Sequence, residues 1–402
     1  MVVFSYYLMD PRPRRAAEAL VNAGMHVDVI CLREAKADLR RETFNGVDIL
    51  RVPLQRRRSG AFGYVFQYLA FLLISSTLLA VRSLTRRYDL VYVHNMPDIL
   101  VLSALIPKAF GAKVILDLHD PMPELMMTIF NLDRDSRWVR TLKRLEKWSI
   151  RLADLAITVN LACKKLFVSR GCRLEKIRVV MNSPDDEIFG FRPPRSETST
   201  RHAQGNPFVV MYHGSLIERN GLDLAVDAVA RVRESVPGVE LRIYGSETRF
   251  LERVMETVHA KGLTEVVRYL GPRRIEDIVK AIDECDVGII PNQRNVFTEL
   301  NTPTRIFEYL ALGKPVIAPR AAGIQDYFDE DSLAFFELGD PQDLARKIQY
   351  VFFHPGETVD LVKRGQRVYQ AHTWPEEKQT LVDSAGELLS STCALAGEKR
   401  LQ

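Results

Sequence analysis

Cysteine is scarce and poorly placed for covalent or metal staples. There are five (Cys31, Cys163, Cys172, Cys285, Cys393), an odd number, with no Cys-x-x-Cys. A disulfide framework or a zinc cluster is therefore not expected, and a reducing compartment is. The chain also lacks G-x-G-x-x-G and G-x-x-x-x-G-K-[ST], which leaves dinucleotide and P-loop chemistry without support. No Asp-x-Asp stands at the end of a clear strand, so metal independence is expected. Met1 runs straight into Val2, Val3 and Phe4, without a basic n-region or a small-residue cleavage site, which reads as a first strand rather than a signal peptide. Short repeats and low-complexity tracts are missing. The basic residues that flank the apolar stretch 61–81 are not expected to interleave with exposed aromatics, so a nucleic-acid partner is not expected.

What is present is a globular composition over 402 residues, 47% hydrophobic and 26% charged. That length suits two domains of about 150–200 residues each. The net charge of +4 hides an uneven division. Residues 1–200 hold 31 Lys and Arg against 21 Asp and Glu, whereas residues 201–402 hold 24 against 30. Apolar, β-rich runs alternate with helical stretches throughout: strands at 2–6, 26–31, 48–52, 89–94, 113–118, 155–159 and 177–181, then 208–213, 240–245, 266–271, 287–291 and 315–319. Helices are expected between them, for example at 14–23, 221–234, 304–312 and 341–352. Continuously apolar strands joined by helices imply parallel, doubly wound α/β sheets. A polar, aperiodic stretch at 191–206 separates a first domain (1–190) from a second (207–372), and a last helix near 375–392 within 373–402 is expected to pack back on the first. Two such domains facing each other across a cleft would bind ligands at the carboxyl ends of their strands.

Residues 61–81 carry no charge and are long enough to cross a bilayer, which takes about 20 residues. Arg56, Arg57 and Arg58 precede them, and Arg82, Arg86 and Arg87 follow. Spanning would separate strands that should share a sheet. Two alternatives stay open: a buried crossover helix, or a helix lying in an anionic membrane surface with its arginines on headgroups across 56–87.

Two segments carry the clearest chemistry. In TPTRIFEYLALGKPVIAP (302–319), Thr302, Pro303 and Thr304 open a helix whose first turn suits a phosphate. Thr304, Arg305 and Ile306 form that turn, and Glu308, one turn on, can accept two ribose hydroxyls. In MYHGSLIERNGLDLAVDAVARV (211–232), a strand ends at His213, Gly214 and Ser215 turn, and Arg219 precedes Gly221 and a helix. Small residues admit a diphosphate to the backbone, and Arg219 can neutralise it. Each segment taken alone also reads as an ordinary capped helix or βα turn.

Together these residues resemble the nucleotide-sugar half of glycosyltransferase family 4, retaining enzymes with the GT-B fold of two facing Rossmann-like domains. Tyr244, Gly245 and Gly271 match the strand ends that surround the base. In the first half, residues 10–30, YDLVYVHNMPD (88–98), VILDLHDPMPE (114–124) and VVMNSPDDEIF (179–189) resemble family segments, in a form associated with bacterial surface-polysaccharide transferases. The resemblance spans roughly residues 1–390. It implies transfer from a nucleotide-diphosphate sugar to a lipid-linked or glycan acceptor at the inner face of the cell membrane, by a cytoplasmic, peripherally attached enzyme. His119 would meet the donor sugar, Arg219 and Arg305 the diphosphate, and Glu308 the ribose. Arg12, Arg14, Asn95, Asp98, Asp120 and Glu124 would serve the acceptor. Asn95 and Asp98 also read as a helix cap and first turn, and Arg12, Arg14 and Arg15 as a solvated basic helix start. The sequence departs from the family in two places. The first glutamate of the usual pair falls on Leu300, flanked by Glu299 and Asn301, and the usual lysine before Gly221 is Asn220. A GT-B epimerase or hydrolase, or a non-catalytic nucleotide-sugar-binding scaffold, are the rival readings.

Overall fold

The structure, a computed structural model, describes residues 1–56, 61–194 and 205–398, without the side chains of 61, 62 and 391–398. Arg57, Arg58, Cys393 and most of the expected linker lie outside the described residues or side chains. The chain divides into two compact units, residues 1–182 with 377–402, and residues 183–376.

The first unit contains β1 (Val27–Leu32), β2 (Arg41–Phe44), β3 (Val47–Val52), β4 (Leu90–His94), β5 (Lys113–Leu118), β6 (Leu155–Thr158) and β7 (Ile177–Val179). They pair in the orders β1-β3-β2 and β4-β5-β6-β7. Val2 joins the two groups through parallel bridges to Ile30 and Val93. The expected strand at 2–6 thus contracts to little more than this bridge, because the chain turns into a 3-10 segment at Tyr7–Met9 and then a helix opened by Pro11 and Pro13. β2 and β3 form an antiparallel hairpin that the strand survey missed. Its signal was Asn45-Gly46, both at positive φ, the pair that a two-residue hairpin turn favours. The helices are α1 (Pro11–Asn22), α2 (Ala61–Thr85), α3 (Leu105–Ala109), α4 (Met122–Phe130), α5 (Arg137–Leu152) and α6 (Leu161–Ser169).

α2 links β3 to β4 within the first unit, so it does not separate their strands. One side, with Phe71, Leu72, Ser75 and Leu79, is buried, and Tyr68 and Phe71 pack edge-on against Phe4. The other side is exposed and apolar: Phe66 is 73% accessible, Leu73 67% and Leu84 75%. α2 is long and apolar enough to cross a membrane by length and composition, yet it is neither a fully buried crossover nor isolated from the sheet.

The second unit is one parallel sheet of β8 (Phe208–His213), β9 (Val239–Tyr244), β10 (Val267–Tyr269), β11 (Val287–Ile289), β12 (Val316–Pro319) and β13 (Ala334–Phe336). Its order is β10-β9-β8-β11-β12-β13. Its helices are α7 (Leu222–Val232), α8 (Arg249–Ala260), α9 (Ile275–Glu284), α10 (Thr304–Ala311), α11 (Ala322–Gln325), α12 (Pro341–Phe353) and α13 (Pro355–Gln370). The core, centred on β8, β9 and β11 with α7, is built from fully buried Val, Leu, Ile and Phe. Strand order reverses between β8 and β11, and ligands of such sheets bind at that switch point.

The boundary differs from the one expected at 190. Residues 183–194 belong to the second unit, where Arg192 N–H donates to Ala311 O (2.7 Å) and its guanidinium pairs with Asp283. α14 (Trp374–Glu398) starts in the second unit and continues into the first, where the Glu377 carboxylate accepts from Met181 N–H at 2.7 Å.

Candidate functional site

In the second unit the expected donor residues gather at the carboxyl ends of β8, β9 and β10. Gly214 N–H donates to Tyr244 O (3.0 Å) and Gly245 N–H to Gly271 O (3.2 Å), tying the three strand ends together. A Cβ on Gly245 would lie 2.2 Å from the Gly214 carbonyl oxygen, so the backbones approach as only glycine allows. Gly221, at φ +66°, has no room either, since a Cβ there would meet Pro291 O at 1.8 Å. That contact pins the start of α7 to the chain leaving β11, across the switch point.

α10 brings its charged groups to the same strand end. Arg305 donates to His213 O at 2.6 Å and lies over the Tyr212 ring at 4.5 Å. Glu308 Oε2 is 3.1 Å from His213 Nε2, and the Tyr309 hydroxyl donates to Met211 O. Burial, helped by Arg305, pushes His213 down to about 3, so its imidazole is neutral at physiological pH. The His213–Glu308 contact is therefore between a neutral ring and a carboxyl group, not an ion pair. Among the described residues His213 Nε2 has no aligned hydrogen bond.

Gly214 and Ser215 are exposed. Arg219 sits in a 3-10 turn, 5.4 Å over the Phe297 ring, and its carbonyl accepts from Gln293 N–H. Asn220 donates to Ser215 O at 2.7 Å, which shapes the loop without adding charge. Ile306 does not match its expected role. Its side chain is fully buried and its N–H is taken by Pro303 O, so the helix start offers less than the expected trio of amides. Near Leu300, Glu299 pairs with Arg294 at 3.2 Å. Residues 300 and 301 press their carbonyls against Gly323.

The first unit builds a second polar cluster at the ends of β4 and β5. His94 Nδ1 and His119 Nε2 are 2.7 Å apart. Asp117 Oδ2 lies 3.4 Å from His94 Nδ1 and 3.6 Å from His119 Nε2. Asp117 also accepts from Nη2 and Nε on one edge of the Arg12 guanidinium (2.7 and 3.2 Å) and from the Tyr92 hydroxyl (2.9 Å). Burial is the largest single influence and opposes its ionisation, but Arg12, His119 and His94 together outweigh that and hold the carboxyl well below the usual range. Burial pushes His94 down to about 4, so it too is neutral. His94, Asp117 and His119 have the spacing of a metal site. The donor set does not fit one: Asp117 already accepts from Arg12 and Tyr92, and a cation would sit beside a buried guanidinium.

Several acceptor assignments change here. Arg12 is turned inward onto Asp117, and Arg15 onto Asn182 at 2.8 Å. Arg14 bonds Leu8 O. Asn95 is not a helix cap. Its amide donates to Asp98 (3.1 Å) and to Asp120 O (2.8 Å), while its oxygen accepts from His119 N–H (3.0 Å), so it positions the His119-Asp120 turn. Asp98 and Glu124 are buried rather than lining a surface. Glu124 and Glu146 share Arg170. Burial raises Asp98 to about 7 and Glu146 to about 8. His94 is expected from the sequence to share a polar cluster with Asn95 and Asp98 after a buried strand, and the structure places it there. Asn292, just after β11 and beyond the expected strand 287–291, is a residue that the sequence reading misses: it is buried with an oxygen that finds no partner among the described residues.

Residues 9–183 match the family model described as "Glycosyl transferase 4-like domain", and residues 207–352 match "Glycosyl transferases group 1". Together the two matches cover most of the chain. The amylovoran biosynthesis glycosyltransferase AmsK of Erwinia amylovora is 25% identical over 48% of this chain and 46% of its own length. D-inositol 3-phosphate glycosyltransferase of Corynebacterium urealyticum is 26% identical over 58% and 56%. The matched stretch thus spans about half the length of these curated relatives. Among solved structures, sucrose-phosphate synthase from Thermosynechococcus elongatus superposes with a TM-score of 0.74 at 20% identity, covering 95% of this chain and 93% of that one. Anabaena HepE in complex with UDP-glucose gives 0.69 at 18% identity, covering 97% and 98%. These two likenesses are likenesses of fold.

Proposed function

The chain belongs to the glycosyltransferases of family 4 type and has the GT-B fold of two Rossmann-like domains, and from that premise we propose that it transfers a sugar from a nucleoside diphosphate donor to a lipid-linked or glycan acceptor in surface-polysaccharide assembly. The observation that carries this reading is the convergence on one strand end of Arg305, neutral His213 and Glu308, beside loops that glycine keeps open. This is a setting for a diphosphate with a ribose one helical turn away.

In the proposed reaction the bond from the anomeric carbon to the departing diphosphate breaks. The acceptor oxygen bonds to that carbon, and its proton passes to a diphosphate oxygen, with retention of configuration. Arg219, Arg305 and the start of α10 stabilise the charge that grows on the diphosphate. Glu308 holds the ribose.

In the first unit, the buried His94 Nε2 is less costly as a bare lone pair than as an unpaired N–H. His94 Nδ1–H then donates to His119 Nε2, and His119 presents Nδ1–H as a donor to a sugar hydroxyl. The Arg12 guanidinium held on Asp117 supports a reaction without a metal. The exposed face of α2, with Arg56, Arg86 and Arg87 at its ends, supports peripheral attachment to the anionic cytoplasmic side of a membrane.

The test is a thermal-shift panel of UDP-, GDP-, ADP- and TDP-sugars on wild type and Glu308→Ala. One nucleotide should stabilise wild type, with its affinity for the variant about 10–100-fold lower, as for hydrogen bonds to a charged group. Equal responses, or no response to any nucleotide, would refute the site. Conversion of donor with no acceptor present would favour an epimerase or hydrolase.

A further inference from the structure

The membrane reading of α2 leaves a second helix of the same unit unexplained. α5 carries six cations (Arg137, Arg140, Lys143, Arg144, Lys147 and Arg151), two tryptophans and one acid. At 100° per residue, Arg137, Thr141, Arg144, Trp148 and Arg151 fall on one face, and all five are exposed. Trp148 is 45% accessible at the middle of that face, and Trp138 is 63% accessible at its edge. The single acid, Glu146, is fully buried on the opposite side, paired with Arg170 at 2.9 Å. Val139, Ser149 and Ile150 are buried with it. Apart from Thr141, the outward face of α5 is therefore basic and aromatic, and it carries no acid. The nearest exposed carboxylates in sequence, Asp133 and Asp135, belong to the loop before the helix.

The place of α5 in the fold gives this face a direction. The connections β3 to β4, β4 to β5 and β5 to β6 all advance along the sheet in one sense. Right-handed crossovers then put α2, α3 and α5 on the same side of it. α2 and α5 both pack against the 3-10 segment Asp98–Ala104 that lies between them, and α3 packs on α2. α3 adds its own exposed apolar residues, Leu105, Ile106 and the following Phe110. One side of the unit thus presents an apolar band (Phe66, Leu69, Leu73, Leu84, with Leu105, Ile106 and Phe110) next to a basic band with two tryptophans.

Accepting the membrane reading of α2, we infer that α5 is a second docking helix, lying in the headgroup layer of an anionic bilayer while the α2–α3 band enters the acyl boundary. The chemistry of each band suits its depth. Aliphatic and Phe side chains favour hydrocarbon, whereas Trp concentrates at the interface and Arg pairs with lipid phosphates. Two parallel lines of contact also fix the rotation of the unit on the surface, which one helix alone leaves free.

The test uses the full chain and vesicles of phosphatidylcholine, alone or with about a third phosphatidylglycerol. Wild type should co-float with the anionic vesicles and be largely released by high salt. Arg137→Gln/Arg144→Gln/Arg151→Gln should weaken partitioning at least about tenfold, given the usual contribution of each cation near an anionic surface. In a Trp374→Phe background, brominated lipids should quench Trp138 and Trp148. Far-UV circular dichroism checks that these surface variants fold. Binding that depends on Phe66→Ser/Leu73→Ser but is indifferent to the α5 changes, with no quenching, would overturn the α5 proposal and leave the α2 reading standing. No vesicle binding at all would sink both. Preference of the α5 face for a soluble polyanion such as heparin over vesicles would assign it to another partner.

Discussion

Asp117→Asn keeps the shape of a buried side chain and deletes its charge, which makes it the sharpest probe of the first unit. Asp117 is 1% exposed and Arg12 10%, with 2.7 Å between them. Removing one partner of a buried pair typically costs about 3–5 kcal/mol, against about 0–1 for a surface pair. Asparagine would also point an N–H at a site already crowded by the Arg12 and Tyr92 donors, so the upper part of that range is expected. Urea unfolding, with the transition of residues 1–182 assigned by hydrogen exchange at β4 and β5, measures the loss. Arg12→Met/Asp117→Leu should recover most of it, because apolar isosteres of a buried pair are often neutral. Asp117 titrates lower in the folded than in the unfolded state, so its contribution is complete above the unfolded value near 4 and fades as pH falls through the folded one. The deficit of the variant should therefore be flat over about pH 6–8. A loss below about 1 kcal/mol would mean that water reaches the pair. Arg12 would then return as a candidate ligand for an acceptor phosphate.

Other predictions follow from the same geometry. Asp98 and Glu146 titrate higher in the folded than in the unfolded state, at about 7 and about 8, so the native unit binds extra protons between the unfolded values near 4 and those folded ones. Its stability should fall as pH rises through that window, and Asp98→Asn/Glu146→Gln should flatten the profile in pH-dependent denaturation. His119→Ala should lower turnover by about 10–100-fold, the scale of a lost hydrogen bond to the sugar, while the thermal shift given by the free nucleoside diphosphate is unchanged. Loss of that shift would place His119 at the nucleotide instead of the sugar. Gly245→Ala, whose Cβ would lie 2.2 Å from Gly214 O, should cost about 1–3 kcal/mol and weaken nucleotide binding through the displaced β8 loop. A variant with wild-type melting and nucleotide affinity would contradict the close approach.

The parallel sheets were legible because their strands are apolar on both faces, and the strand-end cluster proposed as the donor site because its residues fall in two short segments, 211–221 and 302–308. Local signals missed were the Asn45-Gly46 hairpin and the short strand β13. Arg12 and Glu124, expected at the acceptor, turn inward for a different reason. Arg12 looks like a solvated cation until Asp117, 105 positions away, is brought beside it. Glu124 likewise waits for Arg170, 46 positions on. Pairing at that separation leaves no periodic trace in the sequence. The same holds for the outward face of α5, since which side of a basic helix meets solvent depends on what buries Glu146.

α14 bears on the order in which the chain is made. The second unit is one continuous stretch, 183–376, whereas the first also needs residues from 377 onward. Those residues include buried Leu381 and Ala385 and the carboxylate of Glu377 on Met181 N–H. Domains usually fold in the order in which they leave the ribosome. Here the half synthesised first is completed last, after the whole of the second has emerged. Until then Met181 N–H lacks its acceptor and the apolar surface awaiting α14 is open. A nascent chain halted near residue 376 should therefore hold a finished second unit behind an unfinished first one, the one that bears α2 and α5.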